Sequence, residues 1–250
     1  MTGGSGRNGI DSEPSGGAIP LAMTSPTDSA ATTADGPLGR ERPLVPARAA
    51  LLVVDVQNFC TRRDGGEFKG LSEAEIESGY AYYFGQVEKA ALPNMQRLLA
   101  ACRGAGIEVL YTTIESLTQD GRDRSLDYKI SGFNIPRGSW DAKVVEEVAP
   151  LGDEMVFAKT ASSVFVATNI DYVLRNLGVE QLAICGLRTD HCVESAIRNA
   201  CDLGYLVTQV TDACTTFTQD RHDASLRAVK GYCRQVTTDA LLAELGEERP

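Results

Sequence analysis

Histidine occurs twice in the 250-residue chain, at His191 and His222, and tryptophan once. No two of the seven cysteines (60, 102, 185, 192, 201, 214 and 233) stand as a CxxC pair. With so few imidazoles and no paired thiols, the ligand spacing of a zinc site is missing. Basic residues are short as well, 24 against 34 acidic ones for a net charge of −10. That balance argues against nucleic acid or an anionic membrane surface as the main partner, since both favour clustered Lys and Arg. It leaves room for a small anionic substrate, which one local Arg can hold. No apolar run approaches the roughly 20 residues needed to cross a bilayer. The N-terminus lacks the basic-then-apolar pattern of a secretory signal. The odd set of cysteines is therefore expected to be reduced thiols, and the protein cytoplasmic.

What is present divides unevenly. Residues 1–46 are rich in Gly, Ser, Thr, Ala and Pro and lack periodic core formers. Such a segment cannot bury enough apolar area to offset its ordering entropy, so a flexible tail is expected, with an inter-subunit arm as the functional alternative. Met23 is a second candidate start. Residues 47–250 read as one α/β domain. Strands are expected at "ALLVVDV" (50–56), "IEVLYTT" (107–113), "EMVFAK" (154–159), "QLAICG" (181–186), "YLVTQVTDA" (205–213) and "RQVTTDA" (234–240). Helical spacing fills 86–105, 166–178, the segment after Cys192 up to Gly204, and a stretch near 220–230. A long polar loop is expected over 114–140. Continuous apolar strands separated by helices indicate a parallel sheet covered on both faces, with right-handed crossovers.

In an open parallel sheet, ligands bind beyond the carboxyl ends of the strands. The first strand ends in Asp55, followed by Gln57; the third ends in Lys159; the fourth leads through Gly186 to Cys192. Capped by Thr189 or Asp190, Cys192 sits in the first turn of its helix, where the unpaired N–H groups favour an anion and lower a thiol's pKa. A buried inert thiol is the equal alternative. Asp55 reads as a base for the thiol or as a turn former. Lys159 reads as a half-buried partner to both, or as a surface lysine. The other six cysteines read as structural.

At these residues the chain resembles the isochorismatase-like cysteine hydrolase superfamily. The matching blocks are "LLVVDVQN", "KTASSVF", and "CGLRTDHCVESAIRNACDLGY" with "VTDAC" after it, in the right order and spacing over about residues 48–245. The resemblance implies a three-layer α/β/α sandwich around a six-stranded, mostly parallel sheet. It implies an Asp55–Lys159–Cys192 triad. It also implies a cis Leu187–Arg188 peptide that aims the Arg188 and Cys192 backbone N–H groups at an oxyanion. The activity implied is hydrolysis of a C–N bond in a small amide, carbamoyl or ureido compound through a thioester, with no cofactor. A dimer or tetramer is the expected assembly.

Departures from the family narrow the choice. Its nicotinamidases bind a metal through a carboxylate and two histidines downstream of strand two, and "YTTIESLTQDGRD" holds no histidine. Its isochorismatases generally lack the cysteine that stands here. For substrate contacts, Arg188 either grips a carboxylate or makes a salt bridge on the rim. Gln57 orients the amide or satisfies a turn. Phe133, Trp140 and Tyr128 close over the pocket or pack under the long loop. His191 is expected to point away, at the surface or an interface. Beside the amidohydrolase stand an isochorismatase-type or nicotinamidase-like hydrolase and a catalytically silent scaffold with the same fold.

Overall fold

The computed structural model describes residues 39–246, together with the backbone of residues 32, 33, 36 and 37. The latter form a short antiparallel ladder, Thr32–Thr33 with Gly36–Pro37, inside a separate unit, Met1–Leu38. Most of the expected tail, Met23 included, lies outside the described residues.

The second unit, Gly39–Pro250, is built on six strands. These are β1 (Ala49–Val54), β2 (Glu108–Ile114), β3 (Met155–Lys159), β4 (Gln181–Leu187), β5 (Leu206–Thr215) and β6 (Arg234–Val236). They run in the order β3–β2–β1–β4–β5–β6, and every pairing is parallel. All residues of the central β1 and β4 are buried, as a sheet covered on both faces requires. Helices α3 (Leu92–Gly104) and α9 (Thr238–Glu244) pack together on the sheet. A second group is formed by α5 (Val164–Ala167), α6 (Ile170–Asn176), α7 (Glu194–Asp202) and α8 (Gln219–Val229).

The chain winds from β1 outward to β3, then returns to β4 and winds the other way. The reversal leaves a crevice beyond the carboxyl ends of β1 and β4, where no crossover helix can cover the sheet. Gly186 makes the junction possible. It faces Val54 across the β1–β4 pair at φ +128°, and a Cβ there would lie 2.2 Å from the Val54 carbonyl oxygen. Only glycine fits both the backbone angle and the approach.

Four elements differ from expectation. The helix expected from residue 86 begins at α2 (Glu73–Gln86) and continues through a π-helical stretch, Val87–Ala91, into α3. Its start carries a capping box: Ser72 Oγ accepts the Glu75 N–H, and Glu75 accepts the Ser72 N–H. Only Ile76, Tyr83 and Phe84 of α2 are buried, too sparse a stripe to show as a period. The 166–178 helix is instead α5 and α6, broken at Thr168, which is extended and whose hydroxyl donates to the Val164 carbonyl. The last strand stops at Val236, and α9 follows, capped by the Thr237 hydroxyl. The loop over 114–140 also contains a short helix, α4 (Leu126–Ile130).

Candidate active site

Asp55 leaves β1 in the left-handed region, φ +53°, which Asp tolerates better than most residues. Its N–H donates to the Thr112 carbonyl at the end of β2 (3.0 Å), and the Thr112 hydroxyl donates to Asp55 Oδ1 at 2.6 Å. The other oxygen, Oδ2, lies 2.8 Å from Lys159 Nζ, yet it accepts no well-aligned hydrogen bond from a described residue. Oδ1 is thus committed and Oδ2 retains lone-pair capacity. Lys159 is buried rather than half-buried, at 1% exposure. Its ammonium has three donors, and three acceptors surround it: Asp55 Oδ2, the Ala161 carbonyl (3.0 Å) and Cys192 Sγ (3.3 Å). Burial alone would strip the charge from Lys159, but the neighbouring Asp55 and Cys192 outweigh it and raise the pKa.

Cys192 does not follow a Thr189 or Asp190 cap. The residue in the cap position is Arg188, without a side-chain cap, and Thr189–Val193 form a π-helical stretch ahead of α7. Thr189 and Asp190 turn their side chains elsewhere, to His222 Nδ1 (2.9 Å) and to Thr216 Oγ1 and Arg221. Nor is the resting thiol acidified. Burial pushes it up to about 12, against the pull of Lys159, because desolvation of a thiolate here exceeds one ammonium's attraction. The side chain rests as a thiol beside a carboxylate able to take its proton. Leu187–Arg188 is a cis peptide, and Arg188 follows directly as the first residue before the cysteine turn.

Burial also pushes the Cys60 and Cys214 thiols to about 12, from an ordinary 9.0. A thiol raised on folding favours the folded state fully below its unfolded pKa, and the advantage disappears as pH climbs toward the folded value. The urea midpoint should therefore hold up to about pH 9 and fall between there and about pH 12. A midpoint that stays flat from about pH 9 to about pH 12 would mean that these thiols ionise in the fold as readily as in the unfolded chain, contrary to their burial.

Above the three groups opens a cavity of about 420 Å³. Asp55, Cys192, Tyr128 and Phe133 line it. Tyr128 stacks on Phe133 (5.4 Å) and brings its hydroxyl to 4.0 Å from Cys192 Sγ. Trp140 is 48% exposed and is not part of the wall, so its expected pocket role is withdrawn. Gln57 is withdrawn as well. It is fully buried; its Nε2 donates to the Ile114 and Asp141 carbonyls, and its Oε1 accepts the Ile114 N–H, so the amide clamps β2 and leaves no donor for substrate. Arg188 reaches the wall, but Glu67 holds both its Nη atoms at 2.8 and 2.6 Å. Of its two expected roles, the ion pair is the one seen. His191 is exposed, as expected of a surface residue, but it also lines the cavity, with its Nε2 3.0 Å from Arg221 Nη2.

Four residues of the site escaped sequence reasoning. Cys60, read as purely structural, also lines the cavity, its Sγ 3.2 Å from the Asp55 carbonyl. Thr112 carried one signal, a polar residue inside an apolar strand. Glu67 and Asp127, which lines the cavity from α4, had none, because their neighbours at the site are remote in sequence.

A parallel sheet with a carboxylate, an ammonium and a thiol gathered at its switch point defines a three-layer α/β/α protein with a buried Asp–Lys–Cys cluster. The chain matches the isochorismatase domain over residues 49–240, and it belongs to that family. Among curated relatives, the ureidoacrylate amidohydrolase RutB of Rhizobium rhizogenes is 29% identical over 186 residues, covering 68% of this chain and 71% of its own. The Acinetobacter baylyi protein of the same name is 27% identical, over 76% of this chain and 80% of its own. Among solved structures, a cysteine hydrolase from Pseudomonas syringae pv. phaseolicola superposes with a TM-score of 0.69 at 24% identity, over 82% of this chain and 95% of that one. An N-carbamoylsarcosine amidase from Thermoplasma acidophilum gives 0.59 at 23%, over 77% and 97%. At these identities the two structures speak for the fold alone.

Proposed function

We propose that the chain is a cysteine-dependent amidohydrolase that cleaves a C–N bond of a small linear amide, carbamoyl or ureido compound. The observation that carries the reading is one ammonium, Lys159 Nζ, set 2.8 Å from Asp55 Oδ2 and 3.3 Å from Cys192 Sγ beneath a cavity large enough for a small molecule. The curated relatives named as amidohydrolases support it.

Substrate enters with its carbonyl carbon over Cys192. Asp55 Oδ2 takes the thiol proton, and Lys159 stabilises the thiolate that forms. The new S–C bond pushes the carbonyl electrons onto oxygen, where the Arg188 and Cys192 backbone N–H groups receive the charge. Collapse expels the amine, which leaves with the proton held by Asp55. Water then gives a proton to the regenerated carboxylate, attacks the thioester, and releases the acid and the thiol. The high resting pKa suits this sequence: the sulfur becomes an anion only when a carbonyl is ready to accept it. The steps use only this chain's groups and water. Hydrolysis of another bond in the isochorismatase manner would make no use of the thiol.

The test is ammonia release from a panel of small amides and ureides, with mass spectrometry of acid-quenched enzyme. Turnover with an acyl adduct on the peptide bearing Cys192 is the expected result; an adduct on another cysteine, or no ammonia from any member, would sink the reading. We place the enzyme in the cytoplasm as a homo-oligomer. Leu126 and Ile130, one turn apart on α4 and 73% and 77% exposed, supply the kind of apolar contact that a second copy would cover.

A further inference from the structure

We infer that the cavity takes a substrate whose far end is neutral or cationic, and that it discriminates against a carboxylate there. This rests on the amidohydrolase reading for the reaction, but the charge argument stands on the walls alone.

Every cation at the site already has a carboxylate of its own. Lys159 faces Asp55 at 2.8 Å. Arg188 gives both Nη atoms to Glu67, and its Cζ lies over the Phe217 ring, 4.1 Å from the centroid. Arg221 meets Asp190 at 2.5 Å. Arg124, on the neighbouring loop, is turned to the Gly121 and Phe133 carbonyls and is not part of the wall. Burial lowers the pKa of His191, so the ring is neutral near pH 7. One charged group of the wall is left over. Asp127 is exposed on α4, lines the cavity, and has no ion-pair or hydrogen-bond partner for its carboxylate among the described residues.

A substrate carboxylate would therefore meet an unmatched negative charge at the mouth and no free donor cation inside. To claim Arg188 it would have to displace Glu67, leaving a mostly buried carboxylate unpaired, which costs more than the new pair returns. A neutral group meets no such barrier, and an ammonium is drawn toward Asp127.

The charge of the cavity can be read without turnover. Two methanethiosulfonates of similar size, one ending in trimethylammonium and one in sulfonate, each form a mixed disulfide with a thiolate and release methanesulfinate. Their rates at Cys192, located by mass spectrometry, are divided by their rates with a neutral free thiol. The corrected cation-to-anion ratio should be at least about tenfold for the wild type and should shrink with added salt. Asp127→Asn should lower it several-fold, and Glu67→Gln, by freeing Arg188, should shift it toward the anion. Should Glu67→Gln not fold, the wild type and Asp127→Asn decide. A wild-type ratio at or below one overturns the inference. In parallel, kcat/KM is measured for 5-aminopentanamide, pentanamide and 4-carbamoylbutanoate. If the anionic amide is hydrolysed fastest, the inference fails while the amidohydrolase reading stands. If none is hydrolysed but the labelling ratio favours the cation, the reading of the reaction fails and the charge selectivity holds.

Discussion

Cys192→Ala should lower ammonia release by more than about 10³-fold, the scale seen when a covalent nucleophile is removed and only binding and oxyanion contacts remain. The effect should fall on kcat, since the cavity wall loses one sulfur atom and keeps its shape. The fold should survive. The replaced side chain is small and 7% exposed, and Lys159 retains Asp55 and the Ala161 carbonyl as acceptors. A circular dichroism melt within a few degrees of wild type makes the kinetic loss interpretable. The informative failure is residual turnover. Cys60 is a second thiol in the same wall, also held at about 12 by burial, and its Sγ points at the Asp55 carbonyl instead of at Lys159. If Cys192→Ala stays active and only the added Cys60→Ala silences it, the nucleophile has been assigned to the wrong sulfur. If the double variant stays active too, the chemistry does not use a pocket thiol.

The sequence made the three groups of the buried cluster legible because each one terminates an apolar run. Asp55 closes β1, Lys159 closes β3, and Cys192 follows Gly186 at the end of β4. A parallel sheet sends all such ends to one rim, so strand periodicity was enough to bring together residues more than a hundred positions apart. The partners of these groups follow no such rule. Glu67 lies in the segment between α1 (Asn58–Thr61) and α2, and nothing local shows that it will meet Arg188. Gln57 looked like a site residue for the same reason that Asp55 did, its place at a strand end. Its amide is consumed by the backbone of Ile114, at the end of β2, and by the Asp141 carbonyl, groups that only the folded chain brings to it. Sequence predicts a lowered pKa for Cys192, and burial in the fold raises it. A helix start and a lysine are visible as neighbours, whereas desolvation is a sum over everything packed around the sulfur. The capping box of α2, Ser72 with Glu75, was readable and would have placed that helix start.

Lys159→Met should be the most damaging single change to the fold and the site together. Methionine keeps most of the side chain's length, one atom short, and removes the charge, leaving Asp55, 1% exposed, with no counter-ion. Removing one member of a buried ion pair costs about 3–5 kcal/mol, more than the pair itself is worth, because the survivor stays desolvated and alone. For a domain of this size that amounts to a melting temperature lower by roughly 6–20 °C. Ammonia release should fall by about 10³-fold as well, since the thiolate that forms during attack loses the ammonium 3.3 Å from it. Stability and catalysis separate in the double variant. Asp55→Asn with Lys159→Met leaves no charge to desolvate, and asparagine can still accept from the Thr112 hydroxyl as Asp55 Oδ1 does now. It should recover most of the lost stability and none of the activity. Urea midpoints of the wild type, both single variants and the double close the cycle. If the two single losses simply add in the double, Asp55 and Lys159 do not act as a pair; if Lys159→Met folds well and still releases ammonia, the ammonium is not what steadies the sulfur.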